Sequence, residues 1–248
     1  MKIAVLADIH SNLEALHAVL SHARAQGITK FVCLGDVVGY NANPHECMEE
    51  VRSLDLLGIV MGNHDAVACG QQSLYGFNPY AAQAAEWTRN QLSDEEQTWL
   101  AGLPYKQDIL IDSPMTRFSI VHASLNRPDS WEYVFDTHEA DVSMQFQWMP
   151  LCFIGHTHSP LAFERSLIET IGGAYDVVRL NPDHKYLVNC GSVGQPRDRD
   201  PRAAYVTYDL DKGAIQLHRV TYDVAAAQKK ILAAGLPEYC ATRLAAGR

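Results

Sequence analysis

The 248-residue chain lacks any uninterrupted apolar run near the roughly 18 residues of a membrane-spanning helix. Its opening Met1-Lys2-Ile3-Ala4-Val5-Leu6 is too short for a secretory signal core, and Asp8 and His10 then interrupt it. Paired cysteines are missing too. Cys33, Cys47, Cys69, Cys152, Cys190 and Cys240 form no C-x-x-C pair and no regular spacing, which argues against a disulfide framework or a zinc ribbon. Cys33 and Cys152 lie inside apolar runs and are expected as buried free thiols of a reducing compartment, so a cytoplasmic location is expected. Positive charge is scarce: 20 Lys and Arg stand against 29 Asp and Glu, a formal charge of -9. Without a Lys/Arg run, a surface that binds nucleic acid by neutralising phosphates is not expected. Repeats, low-complexity tracts and linkers are absent, so residues 1–248 are expected to form one domain.

What is present begins with alternating segments. Ile3 to Ala7 reads as a buried strand. Leu13, Leu16, Leu20 and Ala23 then recur at helical spacing behind a Ser11 or Asn12 cap. Phe31 to Leu34 is a second strand, Pro44 opens a helix to about Leu54, and Ile59-Val60-Met61 is a third strand. This order implies parallel strands with right-handed crossovers. Residues 75–103 and 127–148 read as aromatic, helical insertions capping the fold. Between them, Ile109 to Ile111 and Phe118 to Val121 read as strands joined by a turn at Ser113-Pro114. Leu151 to Ile154, Tyr186 to Val188, and Ala204 to Tyr208 are further strands. Asp211-Lys212-Gly213 turns the chain into a last one at Ile215 to Tyr222. Helices over Val224 to Ala234 and in the tail complete an α/β pattern of mixed sheets covered by helices.

Five polar clusters follow strands: Asp8-Ile9-His10, Gly35-Asp36-Val37-Val38-Gly39, Gly62-Asn63-His64-Asp65, His122-Ala123-Ser124 and Gly155-His156-Thr157-His158. Ligands in open α/β sheets gather at the carboxyl ends of strands. Each cluster alone has an ordinary explanation: D-x-H is common, and GDxxG often marks a turn. Together, in this order, they read as a site. Asp8, His10, Asp36, Asn63, His122, His156 and His158 are too many ligands for one ion and suit two that share a bridging carboxylate. Carboxylate, imidazole and amide oxygen suit manganese, iron, zinc or nickel, with manganese expected first. His17, His22, His45, His138, His184 and His218 are read as surface or packing residues, and Asp94-Glu95-Glu96 as the polar first turn of a helix.

These clusters resemble the calcineurin-like metallophosphoesterase superfamily, and the later Asn189-Cys190-Gly191-Ser192-Val193-Gly194-Gln195-Pro196-Arg197 resembles the ending of its small bacterial branch. That branch is similar to phosphodiesterases and diadenosine-polyphosphate hydrolases. The resemblance implies a four-layer αββα sandwich of two mixed sheets flanked by helices. It implies that Asp8, His10, Asp36 and His158 hold one metal and that Asp36, Asn63, His122 and His156 hold the second. It also implies that His64 faces the substrate phosphate and protonates the leaving oxygen, with Asp65 orienting it. A histidine near pKa 6–7 suits that task. The implied reaction is attack on phosphorus by a hydroxide bridging two divalent ions.

Two departures narrow the substrate. Val38-Gly39-Tyr40-Asn41 lacks the second Asp and the Arg with which related protein phosphatases continue, which counts against a phosphoprotein. Ala123 stands where glycine often follows the ligand histidine. Arg127 and Arg197, together with Asn63 and His64, are the candidate phosphate-binding residues. Tyr75, Phe77, Tyr80, Trp131 and Tyr133 either stack a nucleobase or pack the cap. A small phosphorylated, nucleotide-type substrate is therefore the leading expectation. A nuclease, a phosphomonoesterase, a protein phosphatase and a non-catalytic scaffold are the alternatives. A homo-oligomer is compatible with the sequence.

Overall fold

β1 (Lys2–Leu6) is apolar on both sides because it is covered on both faces. Ala4 and Leu6 pack with Leu16, Val19 and Leu20 of α1 (Leu13–Ala25) and Met48 and Val51 of α2 (Pro44–Ser53). Ile3 and Val5 point the other way, toward Phe118 and Phe153 of a second sheet. The two faces follow from the period-2 alternation of a strand. In the computed structural model, which describes residues 1–111 and 117–248, β1 runs parallel to β2 (Lys30–Cys33), with Ala4 opposite Phe31. It runs antiparallel to β11 (Ala203–Asp209) on its other side.

Two six-stranded mixed sheets stack face to face among the described residues. The first runs β3-β2-β1-β11-β12-β9, adding β3 (Leu56–Ile59), β12 (Ala214–Val220) and β9 (Val177–Arg179). The second runs β4-β5-β6-β10-β7-β8. Its strands are β4 (Lys106–Leu110), β5 (Arg117–Val121), β6 (Leu151–Ile154), β10 (Lys185–Asn189), β7 (Ala162–Arg165) and β8 (Thr170–Gly173). Phe118, Phe153 and Tyr208 meet edge-on between the sheets, with Phe118 and Phe153 centroids 5.5 Å apart. Each such fully buried ring contributes roughly 1.5–3 kcal/mol. Helix α6 (Thr137–Met144) covers the outer face of the second sheet through Ala140 and Met144 against Ile154 and Leu187. The expected αββα sandwich is the fold.

Several expectations shift. α4 (Pro79–Gln91) and α5 (Asp94–Ala101) belong to the outer layers: Leu100 joins the α1–α2 core, and Ala84 packs with α7 (Val224–Ala233) and α8 (Glu238–Ala246). α6 is likewise a flank of the sandwich, so only the loops leading into these helices reach the site. The third strand ends at Ile59, earlier than expected, because Met61 leaves the ladder and donates to the Pro104 carbonyl at 2.9 Å. β7, β8 and β9, which the sequence pattern does not announce, are half-exposed strands with weak alternation, β8 and β9 at sheet edges and β7 next to β8. Gly62-Asn63-His64-Asp65, which follows the third strand, opens a short helix, α3 (Asn63–Ala68). Asn12, not Ser11, caps α1 by accepting from the Ala15 N–H at 3.1 Å. The Ser113-Pro114 turn lies outside the described residues.

Candidate metal centre

Backbone pairing brings the first two clusters together. Past the ends of β1 and β2 the two strands stay zipped as loops: the N–H groups of Asp8, His10 and Ser11 donate to the carbonyls of Gly35, Asp36 and Val37 at 3.1, 2.8 and 3.0 Å. Asp8, His10 and Asp36 are thereby held side by side, all essentially buried. The fourth and fifth clusters join from the second sheet. Gly155 donates to the His122 carbonyl at 2.8 Å, and the His156 N–H donates to the Asp8 carboxylate at 3.0 Å.

The side chains form two groups that share Asp36. Asp8, His10, Asp36 and His158 offer ligand atoms within 4.8 Å of one another, and so do Asp36, His122 and His156. The His10 and His158 Nε2 atoms are 3.1 Å apart, and His122 Nε2 lies 3.4 Å from Asp36 Oδ2. Three rings are oriented from behind: the Nδ1 atoms of His10, His122 and His158 lie 3.1, 2.7 and 2.6 Å from the carbonyls of Val38, Leu34 and Gln195. That fixes the tautomer with Nε2 free to ligate, which is the usual support of a metal-binding histidine. Asp36 Oδ2, Asn63 Oδ1, His122 Nε2 and His156 Nε2 are buried with no hydrogen-bond partner. Buried polar atoms are rarely left unpaired, and these four belong to the candidate ligand residues. The residues present fit divalent ions.

Charge follows the same grouping. Burial would raise Asp36, but His122, His64 and His10 hold its carboxyl well below the usual range. Burial would lower His122, yet the Asp36 carboxylate overrides it and pushes the imidazolium up to about 9. Burial dominates at His156, lowered to about 3, and at His10 and His158, both held well below their ordinary value. Burial raises Asp8, and the neighbouring Asp36 adds to the rise while His122 opposes it. Without metal ions, then, most of the imidazoles are neutral, while His122 pairs with Asp36.

His64 sits beside both groups, with its N–H donating to Asp36 Oδ1 at 2.8 Å. Its ring lies 4.4 Å from Tyr40 and 4.8 Å from Phe77, and its Nδ1 is buried without a partner. Burial lowers it to about 4, below the 6–7 expected of a ready proton donor. Asp65 differs from expectation as well. Its carboxylate accepts from the Gly62 and Val38 N–H groups at 3.1 and 3.2 Å, so it ties α3 to the β2 loop instead of contacting the His64 ring.

Of the two candidate arginines, Arg127 is 68% exposed and pairs with Glu132 on the surface, which removes it from the site. Arg197 stays close, with its backbone N–H on the His158 carbonyl at 3.2 Å. A cavity of about 210 Å³ is lined by Asn63, His64 and His156 together with Tyr75, Phe77, Trp131 and Tyr133. Tyr133 stacks on His156 at 4.3 Å, while Tyr75 is almost fully exposed and Tyr80 stacks with Tyr239 away from the cavity. A larger hollow, about 470 Å³, lies between β8 and β9 and touches none of these residues.

The segment from Asn189 to Arg197, whose sequence resembles a family ending, frames the site through Asn189, Ser192 and Gln195, to which sequence reasoning assigned no role. Ser192 Oγ donates to the Asp8 carbonyl at 2.8 Å, Asn189 Nδ2 to the Gly155 carbonyl at 2.5 Å, and Gln195 supplies the carbonyl behind His158. The dense run of small and amide residues from Asn189 to Gln195 was the available signal.

Residues 1–213 match the model of the calcineurin-like phosphoesterase superfamily domain. An uncharacterized protein of Methanocaldococcus jannaschii is 44% identical over 248 residues, covering 99% of this chain and 98% of its own. A metallophosphoesterase from Sphaerobacter thermophilus is similar in structure, with TM-score 0.85, 40% identity and coverage of 100% of this chain and 99% of its own. A hypothetical protein from Pyrococcus horikoshii shares the fold at TM-score 0.80 and 20% identity, over 100% of this chain and 98% of its own.

Proposed function

The chain belongs to the calcineurin-like phosphoesterase superfamily, and from that premise we propose that it is a dinuclear metal-dependent hydrolase of small nucleotide-type substrates, cleaving phosphoester or phosphoanhydride bonds. One observation carries the reading: two buried ligand groups meet at Asp36, whose Oδ2 has no hydrogen-bond partner. Asp8, His10, Asp36 and His158 would hold one ion, and Asp36, Asn63, His122 and His156 the other. Ions so held would supply Lewis-acid charge for the phosphoryl oxygens and make water nucleophilic near neutral pH. The imidazole-rich donor set favours a transition ion, manganese first and iron, zinc or nickel after it.

The chain's own residues do the positioning and the proton work. Val38, Leu34 and Gln195 carbonyls orient three of the imidazoles, and Asp65 locks the loop that carries Asn63 and His64. His64, packed between Tyr40 and Phe77, holds the proton that goes to the departing oxygen. Its basicity is low in the free chain, so it takes up that proton when the negative charge of a bound phosphate lies beside it. A substrate phosphate in the 210 Å³ cavity would place its organic group against Phe77, Trp131 and Tyr133, which suits a nucleobase. Among the described residues no helix is long and apolar enough to cross a membrane. Free cysteines and the acidic balance support a cytoplasmic single-domain enzyme over a nuclease.

Asp36→Asn tests the assignment. It should lose most of both metals and nearly all activity, whereas Asp8→Asn should retain more of the second ion. Two tightly bound metals per chain in Asp36→Asn, by elemental analysis, would overturn the shared-ligand reading.

A further inference from the structure

Two arginines converge on one ring beside the metal centre. Arg197, in the loop after β10, has its guanidinium carbon 5.5 Å from the Tyr40 centroid, and Arg243, on α8, has its own at 5.8 Å. The same ring lies 4.7 Å from His10 and 4.4 Å from His64. Tyr40 is only 5% exposed, so both charges rest against a buried aromatic edge of the site.

Among the described residues no Asp or Glu side chain lies within 4.0 Å of either guanidinium, so neither makes an ion pair with one. The carboxylates of the same loop are already engaged: Asp198 pairs with Arg219, and Asp200 pairs with Arg202 at 2.6 Å. Arg197 Nη2 donates to Gln195 Oε1 at 3.0 Å, but its Nε is buried without a partner. Gln195 itself is fully buried, and its Nε2 is a second donor with no partner. Arg243 donates through Nε to the main-chain oxygen of Arg248, and burial together with the Arg197 charge holds it below its ordinary pKa. Two like charges on one ring and two orphaned donors are costly unless an anion joins them. The cluster also reaches solvent, since Arg197 and Arg243 are each only half-buried.

We propose that Arg197, Arg243 and Gln195 form a second anion subsite, which takes a phosphate of the substrate other than the one being hydrolysed. The proposal rests on the phosphoesterase reading for the identity of that substrate, and it selects molecules carrying at least two phosphates over a simple phosphodiester. Guanidinium suits such a group because its fork of donors matches phosphate oxygens. The competing role is mechanical, with the two arginines merely pinning α8 onto Tyr40.

The test has a binding arm that needs no turnover. Inorganic tripolyphosphate is titrated into the full-length, metal-free protein by calorimetry, with folding of each variant checked by circular dichroism and melting. Arg243→Met and Arg197→Met, which keep apolar bulk, should each weaken binding by about tenfold or more, and Arg243→Lys should recover most of it. Either methionine variant alone suffices if the other folds poorly. Arg52→Met controls for net charge, since Arg52 pairs with Glu95 on the surface. Unchanged binding in the methionine variants, or an equal loss in Arg52→Met, overturns the subsite.

The second arm compares diadenosine tetraphosphate with bis-p-nitrophenyl phosphate in the manganese-loaded enzyme. In Arg243→Met the kcat/KM ratio of the first to the second should fall about tenfold, through KM. An equal fall for both substrates overturns the proposal in favour of the mechanical role. If wild-type protein hydrolyses neither, the phosphoesterase reading fails while the titration still decides the anion subsite.

Discussion

Gly62→Ala should empty the metal centre without unfolding the protein. A Cβ built on Gly62 would lie 2.1 Å from Asp36 Oδ1, 2.4 Å from the Asp36 backbone nitrogen and 2.7 Å from its Cγ. Gly62 has φ -100, so the substitution adds no left-handed strain, and the whole effect is the collision. Ordinary carbon contacts begin near about 3.5 Å, so the carboxylate of Asp36 must retreat by about 1 Å or more. Rotation alone cannot relieve the clash, because one of the crowded atoms is backbone. Movement would also stretch the 2.8 Å bond from the His64 N–H to Oδ1 and separate Asp36 from His122. Overpacking of this kind typically costs about 1–3 kcal/mol, which a folded domain tolerates. A misplacement of about 1 Å at a reacting centre costs about 100-fold in rate. The expected result is a lowered but cooperative melt, less than one tightly bound manganese per chain and activity down by about 100-fold. Gly102→Ala is the control, since its Cβ would meet nothing closer than 3.5 Å. Full metal content and activity in Gly62→Ala would refute the reasoning.

Manganese should restore a chelated sample better than magnesium, because magnesium prefers oxygen ligands and keeps its waters; equal recovery would count against this donor set. Metal affinity should rise with pH. Below about 9 His122 keeps its proton in the metal-free chain, and an ion needs the neutral ring, so affinity climbs by up to about tenfold per pH unit and then levels off. A manganese Kd that is flat between about pH 6.5 and 8.5 would contradict this sign. His64→Gln should keep both metals and slow substrates with basic leaving groups far more than p-nitrophenyl esters. Uniform loss across leaving groups, or loss of one metal, would make His64 a ligand or a phosphate binder.

How much of this was legible depends on how local each signal is. Asp8, Asp36 and the 156–158 pair could be read from sequence because each follows a short apolar strand, and buried strands deliver their carboxyl ends to one edge. β7, β9 and β8 could not, since residues such as Glu164, Arg165 and Arg179 break the alternation on strands that lie at or near the sheet edges and are largely unburied. The start of α3 was readable in principle. Gly62 followed three residues later by Asp65 is the spacing at which a side chain reaches back to the N-cap N–H, and it does so here at 3.1 Å. Taking Asp65 for a partner of His64 came from the family resemblance, whereas its two bonds are decided by the helix start and by a loop 27 residues earlier. Arg127 and Arg197 looked equivalent as letters. Glu132, five residues on, claims the first, and only the packing of α8 and the β2 loop gives the second its surroundings.

The ligand loops carry a cost that composition does not reveal. Asp8, His10, Asp36, His156 and His158 all adopt positive φ, at 53, 48, 50, 66 and 58°. Glycine would occupy these positions without strain, while each L-residue there costs about 1–2 kcal/mol. A chain free to relax would place glycine at the turns, as it does at Gly35 and Gly39 on either side of the Asp36 turn. Keeping carboxylates and imidazoles there instead is intelligible only if the side chains are needed, since hydrogen bonds among the backbones would close the same loops without them. The strain thus falls on five of the six residues that make up the two ligand groups, and it aims their oxygens and nitrogens inward where no protein group answers four of the site's atoms. Strain at those positions, orphaned ligand atoms and a shared carboxylate are three consequences of one requirement, that the chain hold cations its own side chains cannot replace.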